Sequence, residues 1–328
     1  MKKIYCFLFI IIACFIVPTG CSNSTMEETA SGNNPDKLTI VATLFPQYDF
    51  AREVAGDKAE ILLLLPPGME SHSFEPTPGD IITIHNSDVF LYTGDEMEPW
   101  ASGIAHNIEE TVVVADLSKG IELCKDEHDH SHEEVKEDSD HAHEEETDGH
   151  NHEYNPHIWT SPVLAMTMVE NIIDALVKAD PNNAAYYEAN GAAYLEKLHE
   201  LDHHFREIVE HADFDTIYMG SKFSLLYFME EYGLHYIAAY DSCEEEAEPS
   251  IKRVVSMIKS MREAGITSVY YQELIEPYIA ETIAEATGGE TYLFHSCHNV
   301  SRDDLEAGVT YISLMEQNAL NLEKGLNR

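Results

Sequence analysis

Basic side chains are scarce in this chain. Its 328 residues carry 19 Lys and Arg against 60 Asp and Glu, a formal charge of −41 with histidine neutral. That shortage excludes nucleic acid as a partner, because phosphate contacts need clustered cations. The apolar run Ile4–Val17 is too short to cross a bilayer, which takes about 20 residues. Neither G-x-S-x-G nor a phosphate-cradling glycine loop is present, which removes two common routes to hydrolysis and nucleotide chemistry. What the chain does have is 44% apolar residues, enough for a real core, and a length suited to two domains. It also has 18 histidines among its many carboxylates, so a metal ion is the first cation to consider as its partner.

Lys2 and Lys3 precede the apolar run, giving residues 1–20 the pattern of a secretory signal peptide. The run closes in Pro18-Thr19-Gly20-Cys21, which resembles a bacterial lipoprotein box. The resemblance implies lipidation at Cys21 and anchorage on the outer, extracytoplasmic face of the cell membrane. Residues 21–37 then read as a flexible tether. Cys6 and Cys14 leave with the signal, and Cys124, Cys243 and Cys297 remain in an oxidising compartment. Three is odd, so at most one pair bridges within the chain.

Two α/β lobes are expected. In the first, residues 38–181, short apolar runs at Leu38–Leu44, Ala59–Leu65, Val89–Tyr92 and Thr111–Ala115 read as strands. In the second, residues 212–328, Thr216–Met219, Tyr236–Tyr240, Ser268–Tyr271 and Thr291–Phe294 do the same, alternating with helical stretches that end in Asp303–Leu322. Alternation of this kind implies a parallel sheet flanked by helices in each lobe. Residues 182–211 carry Tyr187, Tyr194, Leu198, Leu201, Phe205 and Ile208 at three- and four-residue spacing, one apolar stripe on a long rigid helix joining the lobes.

Residues 126–153 hold seven histidines, 13 carboxylates and one lysine. Nothing there builds a core, so the segment reads as a disordered surface loop. Its HDHSH and HAH spacings suit weak, redundant collection of a borderline metal.

A defined site is expected beyond the carboxyl ends of the strands. His72 follows the second strand, in Pro66-Pro67-Gly68-Met69-Glu70-Ser71-His72. His157 lies in Asn155-Pro156-His157-Ile158-Trp159, just before a helix, Glu273 follows the seventh strand, and His295 and His298 follow the last one. The segments around His72 and His157 resemble the zinc and manganese class of ABC-transporter solute-binding lipoproteins. Tyr227–Leu234 and the terminal run Tyr311–Met315 extend the likeness, which covers nearly all of the chain from Leu38. The His-rich insertion is similar to that of the zinc-specific branch.

The resemblance implies the two-lobed metal-type periplasmic binding fold. It implies a monomeric carrier that captures a divalent ion between its lobes and delivers it to a membrane permease driven by an ATPase. His72 and His157 match two ligands of the first lobe. The third ligand, a His or Glu in the family, falls at Lys222 here, a departure that moves the expected replacement to His295 and His298, with Glu273 a further ligand or a counter-ion for Lys222. A set of imidazoles fits tetrahedral Zn²⁺, and Mn²⁺ is the alternative, preferring more oxygen. Cys243 and Cys297 both follow second-lobe strands and are expected to form a disulfide, with Cys297 as a thiolate ligand the competing reading.

His199-Glu200-Leu201-Asp202-His203 matches H-E-x-x-H, the pattern of a zinc hydrolase. It lies on the connector helix, where the buried stripe falls on other residues, so it reads as a chance match and no catalysis is expected. A third reading is an adhesin or metal buffer in which the His-rich segment carries the function.

Overall fold

The computed structural model describes residues 37–72, 74–125, 154–240 and 249–327. The signal peptide, Cys21, the tether, the His-rich segment and Cys243 lie outside the described residues.

The first lobe is a sheet in the order β2-β1-β3-β4, built from Leu38–Ala42 (β1), Ala59–Leu63 (β2), Val89–Tyr92 (β3) and Val113–Asp116 (β4), all parallel. Its helices are Phe45–Ala55 (α1), Pro78–His85 (α2) and Pro99–Ala105 (α3). The second lobe repeats the order as β6-β5-β7-β8, from Thr216–Met219 (β5), His235–Ala238 (β6), Ser268–Tyr271 (β7) and Glu290–Leu293 (β8), again all parallel. The central strand β3 is buried along its whole length as Val-Phe-Leu-Tyr, which is why it reads as a continuous apolar run and not an alternating one.

Pro162–Ala179 (α4) packs on the first sheet, and the long Ala184–Glu210 (α5) runs from it to the second lobe. The stripe read from the sequence is the buried face of α5, with Tyr187, Tyr194, Leu198, Leu201, Phe205 and Ile208 all in the core. Gly191 lets α5 approach α4 closely, since a Cβ there would meet Ile173 Cδ1 at 2.2 Å. The second lobe adds Leu226–Tyr232 (α6), Ile251–Ala264 (α7), Tyr278–Thr287 (α8), Arg302–Ala307 (α9) and Tyr311–Leu326 (α10).

Helix starts follow their sequence signals. Pro78, Pro99 and Pro162 each open a helix, where the missing N–H has no intrahelical partner to lose. Thr77 and Asp80 form a reciprocal cap, with Asp80 N donating to Thr77 Oγ1 at 3.2 Å and Thr77 N to Asp80 Oδ2 at 2.8 Å. The single terminal helix expected over Asp303–Leu322 is two helices. Gly308 takes φ +75° and ends α9, and Thr310 caps the start of α10; the left-handed turn is inexpensive for glycine and reverses the chain.

One hydrophobic cluster runs from β1 and α1 through α4 and α5 to α6 and α10. Residues of both lobes therefore share a core, which reaches Ile158, Trp159 and Cys297 next to the cleft at the carboxyl ends of the strands.

Candidate metal centre

Three loops supply three imidazoles. His72 sits on the loop after β2, His157 on the segment leading into α4, and His298 on the turn after β8. One nitrogen from each lies within 4.8 Å of the others, and no other such group occurs among the described residues. The ring centroids are 5.2 Å (His72 to His157), 5.2 Å (His72 to His298) and 5.0 Å (His157 to His298) apart, at interplanar angles of 66°, 90° and 88°. Packed rings also cross steeply; what marks a ligand set is that one nitrogen of each ring comes close to the other two.

The orientation of His157 is fixed. Asn155 Oδ1 accepts from the His157 backbone N–H at 3.1 Å and from its Nδ1–H at 3.0 Å. An amide oxygen only accepts, so Nδ1 carries the proton and Nε2 keeps its lone pair. That Nε2 stands 3.3 Å from Nε2 of His72. Two nitrogens bound at about 2.0–2.1 Å to one tetrahedral zinc are themselves about 3.3–3.4 Å apart. The donor set therefore fits such an ion.

Second-lobe residues hold this first-lobe segment. Tyr227 donates its hydroxyl to Asn155 O at 2.7 Å, Tyr311 donates to Trp159 O at 2.7 Å, and Trp159 Nε1 donates to Ser296 O at 2.9 Å. The His72 loop is held likewise: Asn299 Nδ2 donates to Pro66 O at 2.8 Å and Met69 O at 2.9 Å, and Gly68 N donates to Val300 O at 2.9 Å. Ser71 Oγ lies 2.5 Å from His298 Nε2. Burial, and then the neighbouring His72, push the His298 pKa well below the usual imidazole range, which keeps that ring neutral and able to donate a lone pair.

His295 is placed differently from His298. Its Nδ1 accepts from Cys297 N at 2.9 Å, while its own N–H and carbonyl bond the Asn318 side chain, each at 2.7 Å. The reason is local: Cys297 takes φ +59°, a left-handed turn that sends His298 into the cleft and folds the chain back onto His295. His295 is thus part of the turn's framework and stands outside the imidazole group. Glu273 is committed to the same turn, accepting from Ser296 N at 2.7 Å and Ser296 Oγ at 2.5 Å.

Cys297 corrects two expectations. It is a free cysteine, so it is not bridged, and burial above all, with Glu273 and Asp49 nearby, pushes its thiol well above the ordinary range. Nor does its sulfur join His72, His157 and His298 in the group that could hold one ion, so it is not placed as a ligand. His199, Glu200 and His203 lie on the exposed face of α5, and among the described residues they form no metal group.

Lys222 lines the cleft with His72, His157 and His298, in a cavity of about 330 Å³. Reading the sequence missed Asn155 as the orienting residue and Ser71 as the contact of His298. Their adjacency to the histidines in Ser71-His72 and Asn155-Pro156-His157 was the available signal.

A family model described as the periplasmic component A of a zinc-uptake complex matches residues 40–325. The high-affinity zinc uptake system protein ZnuA of Bacillus subtilis is 34% identical over 328 residues, covering 99% of each chain. The zinc-binding lipoprotein AdcA of Streptococcus pneumoniae is 32% identical; the match covers 99% of this chain and 61% of AdcA. The crystal structure of the Zn(II)-bound ZnuA-like domain of that AdcA superposes with a TM-score of 0.72 at 28% identity, covering 89% of this chain and 100% of the other.

Proposed function

The chain belongs to the family of periplasmic zinc-uptake component A proteins, and from that premise we propose that it captures one Zn²⁺ between its lobes and delivers it to an ABC-transporter permease driven by an ATPase. The observation that carries this reading is the convergence of His72 and His157 from one lobe and His298 from the other on one point. Three imidazole nitrogens, two of them at the separation a tetrahedral ion imposes, favour zinc over manganese, which prefers oxygen.

Capture and release follow from the split ligand set. An ion held by both lobes stabilises their contact, and parting the lobes removes His298 from the other two ligands. The Asn155 carbonyl and the Trp159 backbone are tied to Tyr227 and Tyr311, so lobe movement is coupled to the position of the His157 ring. Cys21 carries the lipid that keeps the protein on the outer face of the membrane, beside the permease. The protein acts as a monomeric carrier and not as an enzyme. The His-rich segment collects metal weakly and with low specificity.

Competitive titration with zinc and manganese tests the reading. Wild type is expected to bind one tight zinc equivalent that survives deletion of residues 126–153 and is lost in His298→Ala. A tight equivalent that disappears with the segment and survives His298→Ala would instead make the segment the functional site, as the metal-buffer reading requires.

A further inference from the structure

Three features of the cleft bear on how the metal is completed. First, no carboxylate or thiolate joins the three imidazoles among the described residues. Glu273, which also lines the cleft, has its two oxygens engaged by Ser296. Second, the cavity of about 330 Å³ is lined beyond the imidazoles by Lys222, Ser224 and Gln272, far more room than an ion with one water needs, since a water occupies about 30 Å³. Third, the charges on its wall are those of Glu70, Glu273 and Lys222. With a divalent ion on neutral imidazoles, that wall is left with one net positive charge.

We propose that the metal binds as a ternary complex, with a small carboxylate as the fourth ligand and Lys222 as the residue that pairs with it. The inference rests on metal capture by His72, His157 and His298 and adds the chemical class of what accompanies the ion. A carboxylate oxygen completes a tetrahedral zinc, its charge balances the cleft, and its second oxygen accepts from an ammonium without further ligand atoms from the protein. Lysine suits this role because its long stem carries a compact cation that adapts to carboxylates of different size. The polar lining of Ser224 and Gln272 gives room for the remainder of such a molecule. Metal arriving as a complex with a small organic acid would then enter without being stripped first.

Cobalt(II) in place of zinc gives a visible spectrum that reports its ligands. The full chain is loaded with cobalt, and the difference spectrum against His298→Ala isolates the cleft metal from metal held elsewhere. Acetate is then titrated, with acetamide as the uncharged control. The expected result is a saturable acetate-dependent shift, absent with acetamide. Its acetate affinity should fall about tenfold in Lys222→Met, the loss of about 1.4 kcal/mol, and hold in Lys222→Arg. A spectrum indifferent to acetate, or an equal response in Lys222→Met, overturns the inference. So does loss of cobalt from Lys222→Met, which would make the amine itself a ligand. The absence of any difference between wild type and His298→Ala would instead defeat metal capture at this cleft, a separate failure.

Discussion

Asp49 Oδ2, on α1 of the first lobe, accepts the backbone N–H of Tyr311, the first residue of α10 in the second lobe, at 2.7 Å. Its other oxygen accepts from Arg52 Nη2 at 2.5 Å. Asp49 is fully buried, so this carboxylate bolts the lobes together from within the core, and it sits at a helix N-terminus, where negative charge is favoured.

Removing that bolt leaves a helix N–H and a guanidinium without their acceptor. Asp49→Ala is expected to destabilise by about 2–3 kcal/mol, read as a lower midpoint in urea at unchanged slope. Asp49→Asn keeps an acceptor and should lose less.

Glu98 gives a pH dependence of definite sign. It is buried, its Oε2 accepts from Thr93 N at 2.6 Å, and its Oε1 has no hydrogen-bond partner. Burial pushes its pKa from 4.5 up to about 7. Between those values the folded state holds a proton that the unfolded chain releases, so this residue's contribution is fully present below pH 4.5 and declines as pH rises to 7. Glu98→Gln carries no such proton. The stability of wild type relative to Glu98→Gln should therefore fall across that window, by about 2–3 kcal/mol, in urea titrations at several pH values. A flat difference would mean the carboxyl ionises as freely folded as unfolded.

Asn155 touches no metal, yet it sets which nitrogen of His157 is free. Asn155→Ala is expected to weaken zinc binding by about 10–100-fold, the range for losing the partner of a ligating imidazole. Asn155→Asp keeps an acceptor at the same place and should retain most of the affinity. Calorimetric titration of both variants decides it.

His295→Ala separates framework from ligand. The substitution removes the acceptor of the Cys297 N–H, so thermal stability should drop by about 1–3 kcal/mol. Zinc affinity should change much less than in His298→Ala. Equal losses in the two variants would return His295 to the ligand set.

The thiol of Cys297, with no exposed surface, should resist alkylation in the native protein and react once urea unfolds it. Rapid native labelling at this position, located by peptide mass, would contradict its burial.

The histidines show where reading a sequence succeeds and where it stops. His72 and His157 were legible because each sits in a distinctive segment, His72 beyond the carboxyl end of β2 and His157 just before a helix, and both segments resemble those of the family. His295 and His298 were not separable, because both follow β8 and differ only through the left-handed turn at Cys297. A positive φ in a non-glycine residue leaves no mark in the composition around it. The break between α9 and α10 was missed for a related reason: the apolar periodicity continues through Gly308, and only the cap geometry interrupts it.

By itself the sequence determined the alternation of strands and helices, the buried stripe of α5 and the excess of imidazole over any cationic side chain at the strand ends. These are consequences of periodicity and residue chemistry, which act over a few residues. The tertiary structure decided which imidazoles meet, which nitrogen of His157 faces the cleft, that Glu273 serves Ser296, and that Cys297 stays a thiol. Each depends on distances between segments remote in sequence, such as the 3.3 Å between His72 and His157, and those distances are set by how two lobes pack on one shared core.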